Sequence, residues 1–176
     1  MADQIRTTER LTLVPCHPAQ HVTLLTAPEQ FAEHAGFPLH AALSGMYTTG
    51  DISPEWLASL EGAAGPDPWQ FGFFLVETST GIAIGTAGFT GPPDGDGVAE
   101  IAYGLVSDRE GQGLATEAAA ALIDFAFEDA RVTRLMAHTR PETNASTRVL
   151  TKNGFTFVGE ETVPYDGLVW RWERGR

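Results

Sequence analysis

One cysteine, Cys16, occurs in 176 residues, so the chain cannot close an internal disulfide. A reducing compartment is the expected setting. No run of about 18 apolar residues is present, which excludes a membrane-spanning helix of ordinary length. The opening MADQIRTTERLTLVP has no apolar stretch of the kind a signal peptide needs, so a cytoplasmic protein is expected. Positive charge is scarce: 11 Lys and Arg stand against 23 Asp and Glu, a formal net charge of −12. Such a surface repels nucleic-acid phosphates and anionic lipid, so neither partner is expected. It is compatible with a cationic one. Metal-ligand spacing is also missing. His17 and His21 could share a helical face, but only the adjacent Cys16 offers a further ligand, so no metal is expected.

What the chain does have is a 43% apolar composition, enough for one folded domain over residues 1–176. Its organising stretch is DREGQGLATEAAAA, residues 108–121. Gly111 and Gly113 stand between a strand pattern at 98–106 and a long run of helix formers. Strand, glycine loop and helix place free N–H groups at a helix start, where the dipole favours an anion such as phosphate. The bland reading, a glycine-rich turn, stays open on this pattern alone.

Residues 6–14 read as a first strand, and 18–35 as one helix or two short ones with Pro28 at a break. Residues 36–51 read as mostly irregular. Ser53 then reads as the N-cap of a short helix led by Pro54. Strands are expected at 69–77 and 82–90, joined as an antiparallel hairpin. In the central strand Glu100, Ala102, Gly104 and Val106 share one face, and Ile101, Tyr103 and Leu105 the other. Gly104 there signals a bulge or the close approach of a ligand. A helix is expected over 113–130, its stripe of Leu114, Ala118, Leu122, Phe125 and Ala126 turned to the core. A strand at 132–139, a helix at 144–153, a strand from Phe155 to Val158 and a hairpin turning at Asp166-Gly167 complete the chain. The order predicts an α/β fold: a mixed, mostly antiparallel sheet of about seven strands flanked by about four helices on both faces.

The loop EGQGLATEA, with ERLTLVP before it and RPETNASTRVLTKNGFTFVGE after it, resembles the GNAT superfamily of acyl-CoA N-acyltransferases. The branch it is most similar to is the RimJ/RimL-like one, which includes N-terminal acetyltransferases of ribosomal proteins. The resemblance runs over essentially the whole chain. It implies an N-acetyltransferase that takes acetyl-CoA as co-substrate and passes the acetyl group to a primary amine in a ternary complex. The acceptor would be a protein N-terminus or a cationic small molecule; a homodimer rests on the resemblance alone.

The same resemblance assigns the site. The pyrophosphate would meet Gly111, Gln112, Gly113, Leu114, Ala115 and Thr116, with Arg109 supplying positive charge. Glu110 departs from the family, which favours Gln or Arg there. It would then act as a first-turn residue favouring the helix dipole. Leu105 and Val106 would present main-chain N–H groups to the thioester, an oxyanion-hole role. Glu100 would take the amine's proton, with Glu160 and Glu161 as weaker candidates. Ser146 would donate to the departing thiolate, unless it simply caps its helix. Asn144, or Thr143 beside it, would reach the pantetheine amides, while Tyr103 reads as core. Trp56 and residues 36–51 would line the acceptor side. Competing readings are a noncatalytic acyl-CoA-binding module and a nucleotide-binding α/β protein. The latter is disfavoured because the motif follows three strands instead of opening the sheet.

Overall fold

The computed structural model describes residues 4–49, 54–164 and 166–176. Strands β1 (Arg6–Thr7), β2 (Leu11–Pro15), β3 (Phe73–Glu77), β4 (Ala83–Phe89) and β5 (Val98–Leu105) pair antiparallel in chain order. β5 then pairs in parallel with β6 (Arg134–Thr139). The hairpin of β7 (Thr156–Val163) and β8 (Gly167–Gly175) closes the sheet in the order β1-β2-β3-β4-β5-β6-β8-β7. The eighth strand is β1, which the sequence reading joined to β2 as one strand over 6–14; the chain instead turns between them and pairs them antiparallel.

Successive strand residues face opposite ways, and β3 uses both directions. The Phe73 ring meets Phe125 of α6 (Leu114–Glu128) at 5.3 Å between centroids. Phe74, its neighbour, meets Phe31 of α2 (Phe31–Ala35) at 5.3 Å and His21 of α1 (Pro18–Thr26) at 5.7 Å. Helices therefore cover both faces, as expected. The expected stripe of α6 is buried throughout. Its alanines project only a methyl group, which lets the helix lie close over β2, β4 and β5. Burying each large side chain of this core contributes about 1.5–3 kcal/mol.

Three expectations need correction. The strand read from Trp69 begins at Phe73, because residues before it form α5 (Pro68–Phe71). Asp67 caps that turn by accepting the Trp69 N–H at 2.9 Å, and Pro68 fits its first position. Gly72 then turns the chain at φ 69°, where a Cβ would lie 2.7 Å from the Ala87 carbonyl. The segment 36–51, read as irregular, contains α3 (Ala41–Thr49), entered after a parallel bridge from Leu39 to Ala83. The C-terminal strands are one long hairpin, not a strand begun at Phe155 followed by a separate hairpin. α4 (Pro54–Gly62) is helical as expected, but its N-cap Ser53 and the side chain of Trp56 lie outside the described residues. Gly104 marks no bulge: the β4–β5 register runs without a shift from Ile101 to Leu105.

Candidate active site

The sheet opens in its middle. Parallel pairing between β5 and β6 covers Val98–Glu100 against Arg134–Met136 and stops. On the other side β5 stays paired with β4: Val106 N–H donates to the Ile84 carbonyl at 2.9 Å, and Thr90 N–H to the Glu100 carbonyl at 3.1 Å. In an antiparallel ladder alternate residues turn their main-chain groups to opposite sides. The even-numbered residues of β5 thus spend theirs on β4, and Tyr103 and Leu105 direct theirs into the gap beside β6. The N–H expected from Val106 is already taken, so of the two residues expected to donate there only Leu105 faces the gap.

The chain crosses the mouth of the gap in a 3-10 turn (Ser107–Arg109) and the glycine loop. Gly111 and Gly113 have φ of 73° and 82°, left-handed values that other residues adopt only at a cost. Gly113 is the N-cap of α6 and supplies no side-chain cap. The first ladder bond is Glu117 N–H to the Gly113 carbonyl at 3.1 Å, so the N–H groups of Leu114, Ala115 and Thr116 precede the ladder. Arg10 braces the loop from behind, donating to the Gln112 carbonyl at 2.8 Å and pairing with Glu117 at 2.8 Å. Burial raises the Glu117 pKa, but hydrogen bonds from Thr8 and Arg10 outweigh it and hold the carboxyl below its usual range.

A groove of about 430 Å³ joins these parts. Tyr103, Gly104 and Leu105 form one wall, the loop and the start of α6 the mouth, and α7 (Ala145–Lys152) the other wall. A Cβ on Gly104 would meet nothing within 4 Å, so protein packing alone does not demand glycine there. Of the expected loop residues, Arg109, Gly111, Gly113, Leu114, Ala115 and Thr116 line the groove. Gln112 does not; its amide folds back to the Asp108 carbonyl at 3.3 Å. Arg109 is paired with two carboxylates, Glu77 and Asp108, each at 3.4 Å. Glu110 lines the mouth but lies before α6, so the first-turn role passes to Glu117.

The sequence reading missed Arg148 and Lys152, two exposed cations on the α7 wall without an ion pair among the described residues. Their spacing of four was visible, but not that α7 would pack beside α6. Asn153 fixes that packing, its amide donating to the Thr116 carbonyl at 3.2 Å.

At the other end of α7, Asn144 is the N-cap in a capping box with Thr147. Its side-chain oxygen is committed to the helix and it does not line the groove, contrary to the pantetheine role expected of it. Ser146 does line the groove. Tyr103, expected in the core, also faces the groove, with its hydroxyl 3.5 Å from the Ser146 carbonyl. Burial pushes that phenol well above its ordinary pKa.

Glu100 lies on the opposite face of β5 from Tyr103. Its Oε1 is 2.8 Å from His138 Nδ1, and His138 Nε2 is 2.5 Å from Glu161 Oε1. The hydrogen bond from His138 holds the Glu161 carboxyl below the usual range. Glu160 instead accepts the Trp170 indole N–H at 3.0 Å, which sets it apart from this cluster. His138 was missed because its partners come from β5 and β7, 38 and 23 residues away. Beyond it a cleft of about 620 Å³ is lined by Arg140, Glu142, Asp166 and Leu168. His17 caps α1 and His21 packs between Phe71 and Phe74, and no group of metal ligands forms among the described residues.

A family model described as an acetyltransferase (GNAT) domain matches residues 10–156. The uncharacterized N-acetyltransferase p20 of Bacillus licheniformis is 35% identical over 101 residues, 57% of this chain. The chain spans about half of that curated relative's length, 53%. Among solved structures, the ribosomal-protein-S5-alanine acetyltransferase of Vibrio fischeri superposes with a TM-score of 0.65 at 19% identity, covering 98% of this chain and 97% of that one. The aminoglycoside acetyltransferase AAC(6')-Ib, in complex with coenzyme A, gives a TM-score of 0.60 at 22% identity, covering 94% and 95%. At these identities the likeness is one of fold.

Proposed function

The chain belongs to the GNAT acetyltransferase family, and from that premise we propose that residues 1–176 form one N-acetyltransferase domain that acetylates a primary amine from acetyl-CoA. The observation that carries this reading is the gap between β5 and β6, with the uncapped start of α6 at its mouth. The groove suits coenzyme A: free N–H groups and the helix dipole answer a pyrophosphate, Arg148 and Lys152 add charge, and open space over Gly104 admits a narrow arm.

Acetyl-CoA supplies the acetyl group as a thioester. Leu105 N–H, turned into the gap, binds the thioester carbonyl and opposes the charge that grows there. Ser146, on the α7 wall, hydrogen-bonds the departing sulfur. Glu100 takes a proton from the acceptor ammonium on the opposite face of β5, and the cleft beside His138 admits that acceptor. Carboxylates at Glu100, Glu142, Glu161 and Asp166 favour a cationic acceptor. A protein N-terminus is the acceptor class suggested by the RimJ/RimL-like resemblance and by the S5-alanine enzyme's fold; a small polyamine is the other.

Thermal unfolding with acetyl-CoA, followed by free-thiol release on a panel of N-terminal peptides and amines, tests the proposal. Ligand at 100 times its Kd stabilises a folded protein by about 2.7 kcal/mol, a shift of several degrees. A shift without thiol release from any acceptor points to a noncatalytic acyl-CoA-binding module. No shift with acetyl-CoA, with ATP or NAD acting instead, removes both readings.

A further inference from the structure

We infer that His138 positions Glu100 for proton abstraction, as the centre of a carboxylate–imidazole–carboxylate unit completed by Glu161. This rests on the acetyl-transfer reading above and adds a positioning residue to it. Three strands supply the unit: Glu100 from β5, His138 from β6 and Glu161 from β7. Both ring nitrogens meet carboxylate oxygens, at 2.8 Å and 2.5 Å. A neutral imidazole has one N–H, so two such hydrogen bonds require two protons shared over the unit. The form that satisfies both is an imidazolium between two carboxylates.

The surroundings favour that form. Glu161 Oε2 accepts from Arg171 at 3.2 Å, Arg171 pairs with Glu173 at 2.7 Å, and Arg134 lies 3.4 Å from Glu173. Charge thus alternates from Glu100 to Arg134, and it balances only when His138 carries a proton. Arg140 and Asp166, lining the cleft with His138, bring one further charge of each sign.

The consequence falls on Glu100. Its Oε1 is held by the ring, while among the described residues Oε2 has only the Thr90 hydroxyl at 3.4 Å, the limit of hydrogen bonding. The carboxylate cannot rotate freely, and Oε2 is the oxygen left to act as base. It takes one proton from the acceptor ammonium. The freed nitrogen lone pair forms the C–N bond to the acetyl carbon as the C–S bond breaks. The nitrogen loses a second proton, and the thiolate gains one. His138 touches none of these atoms; it fixes the oxygen that does.

The test combines kinetics with nitrogen-15 NMR of the His138 ring in the full chain. Glu100→Gln and Glu161→Gln should each move the resonance of the ring nitrogen that meets that carboxylate. His138→Ala should lower kcat about 10- to 100-fold, the scale of a misplaced catalytic group. KM for acetyl-CoA should stay within about twofold, because the ring does not line the groove. His138→Gln, which keeps a single donor, should recover part of kcat. Wild-type kcat in His138→Ala, or ring nitrogen resonances that neither carboxylate variant moves, overturns the inference alone. No thiol release by the wild type on the whole amine panel overturns the acetyl-transfer reading as well.

Discussion

The Asn144 side-chain oxygen accepts the Thr147 N–H at 3.0 Å, so Asn144 is the cap of α7. The Ser146 hydroxyl beside it makes no hydrogen bond among the described residues, which separates two roles that one serine could have combined. Ser146→Ala should leave the urea midpoint within about 0.5 kcal/mol of wild type while lowering kcat for acetyl transfer. Asn144→Ala should cost about 1 kcal/mol, the usual loss for an N-cap. Parallel urea melts and initial rates check both, and a destabilised Ser146→Ala with normal kcat would reverse the assignment.

Gly113 carries the turn into α6 at φ 82°. Replacing it with alanine puts a side chain into the left-handed region, at about 1–2 kcal/mol. It also disturbs the N–H groups that face the groove. Gly113→Ala should therefore lower the melting temperature and weaken coenzyme A binding by tenfold or more in calorimetry. Gly81, also at positive φ but in the β3–β4 turn, is the control: Gly81→Ala should cost stability without changing affinity.

Arg148 and Lys152 line the α7 wall of the groove. Reversing both charges should weaken coenzyme A binding at least tenfold at low salt, and the deficit should shrink as ionic strength rises. The wild type should weaken with salt and the Arg148→Glu/Lys152→Glu variant much less. Equal salt slopes by fluorescence or calorimetry would remove these residues from phosphate binding.

Burial among Phe71, Phe74 and α1 lowers the His21 pKa from 6.5 to about 4. Above pH 6.5 the ring is neutral in folded and unfolded chains, and its contribution is complete. As the pH falls towards 4 the unfolded chain takes up the proton first, so stability is lost through that window. The difference corresponds to on the order of 3 kcal/mol. His21→Leu should lose less stability than wild type between pH 7 and pH 4.5 in urea melts. Parallel losses would show that the ring is protonated in the folded protein.

Much of this architecture was legible because it is local. The alternation of residues 98–106, the apolar stripe of α6 and the glycines before it specify strand, loop and helix through backbone geometry alone. So does the Asp166-Gly167 turn, with Gly167 at φ 71°. The misses have nonlocal causes. Asp67-Pro68 is a helix start, but the aromatic run that follows looks like strand, and tertiary packing begins the sheet only after Gly72. The start of α3 is set by the bridge from Leu39 to Ala83, a contact across 44 residues of sequence.

The sequence by itself determined the strand–loop–helix unit, its family and the residues around the loop, since these depend on neighbours within a few positions. The tertiary structure alone decided which N–H groups of β5 are free, because that follows from where β4 pairs and where β6 departs. It likewise turned Arg148 and Lys152 towards the glycine loop and brought His138 between Glu100 and Glu161. Side chains far apart in the chain meet only when the sheet is assembled. In the proposed function the loop holds the cofactor, and the parting of two strands decides where an amine reaches it.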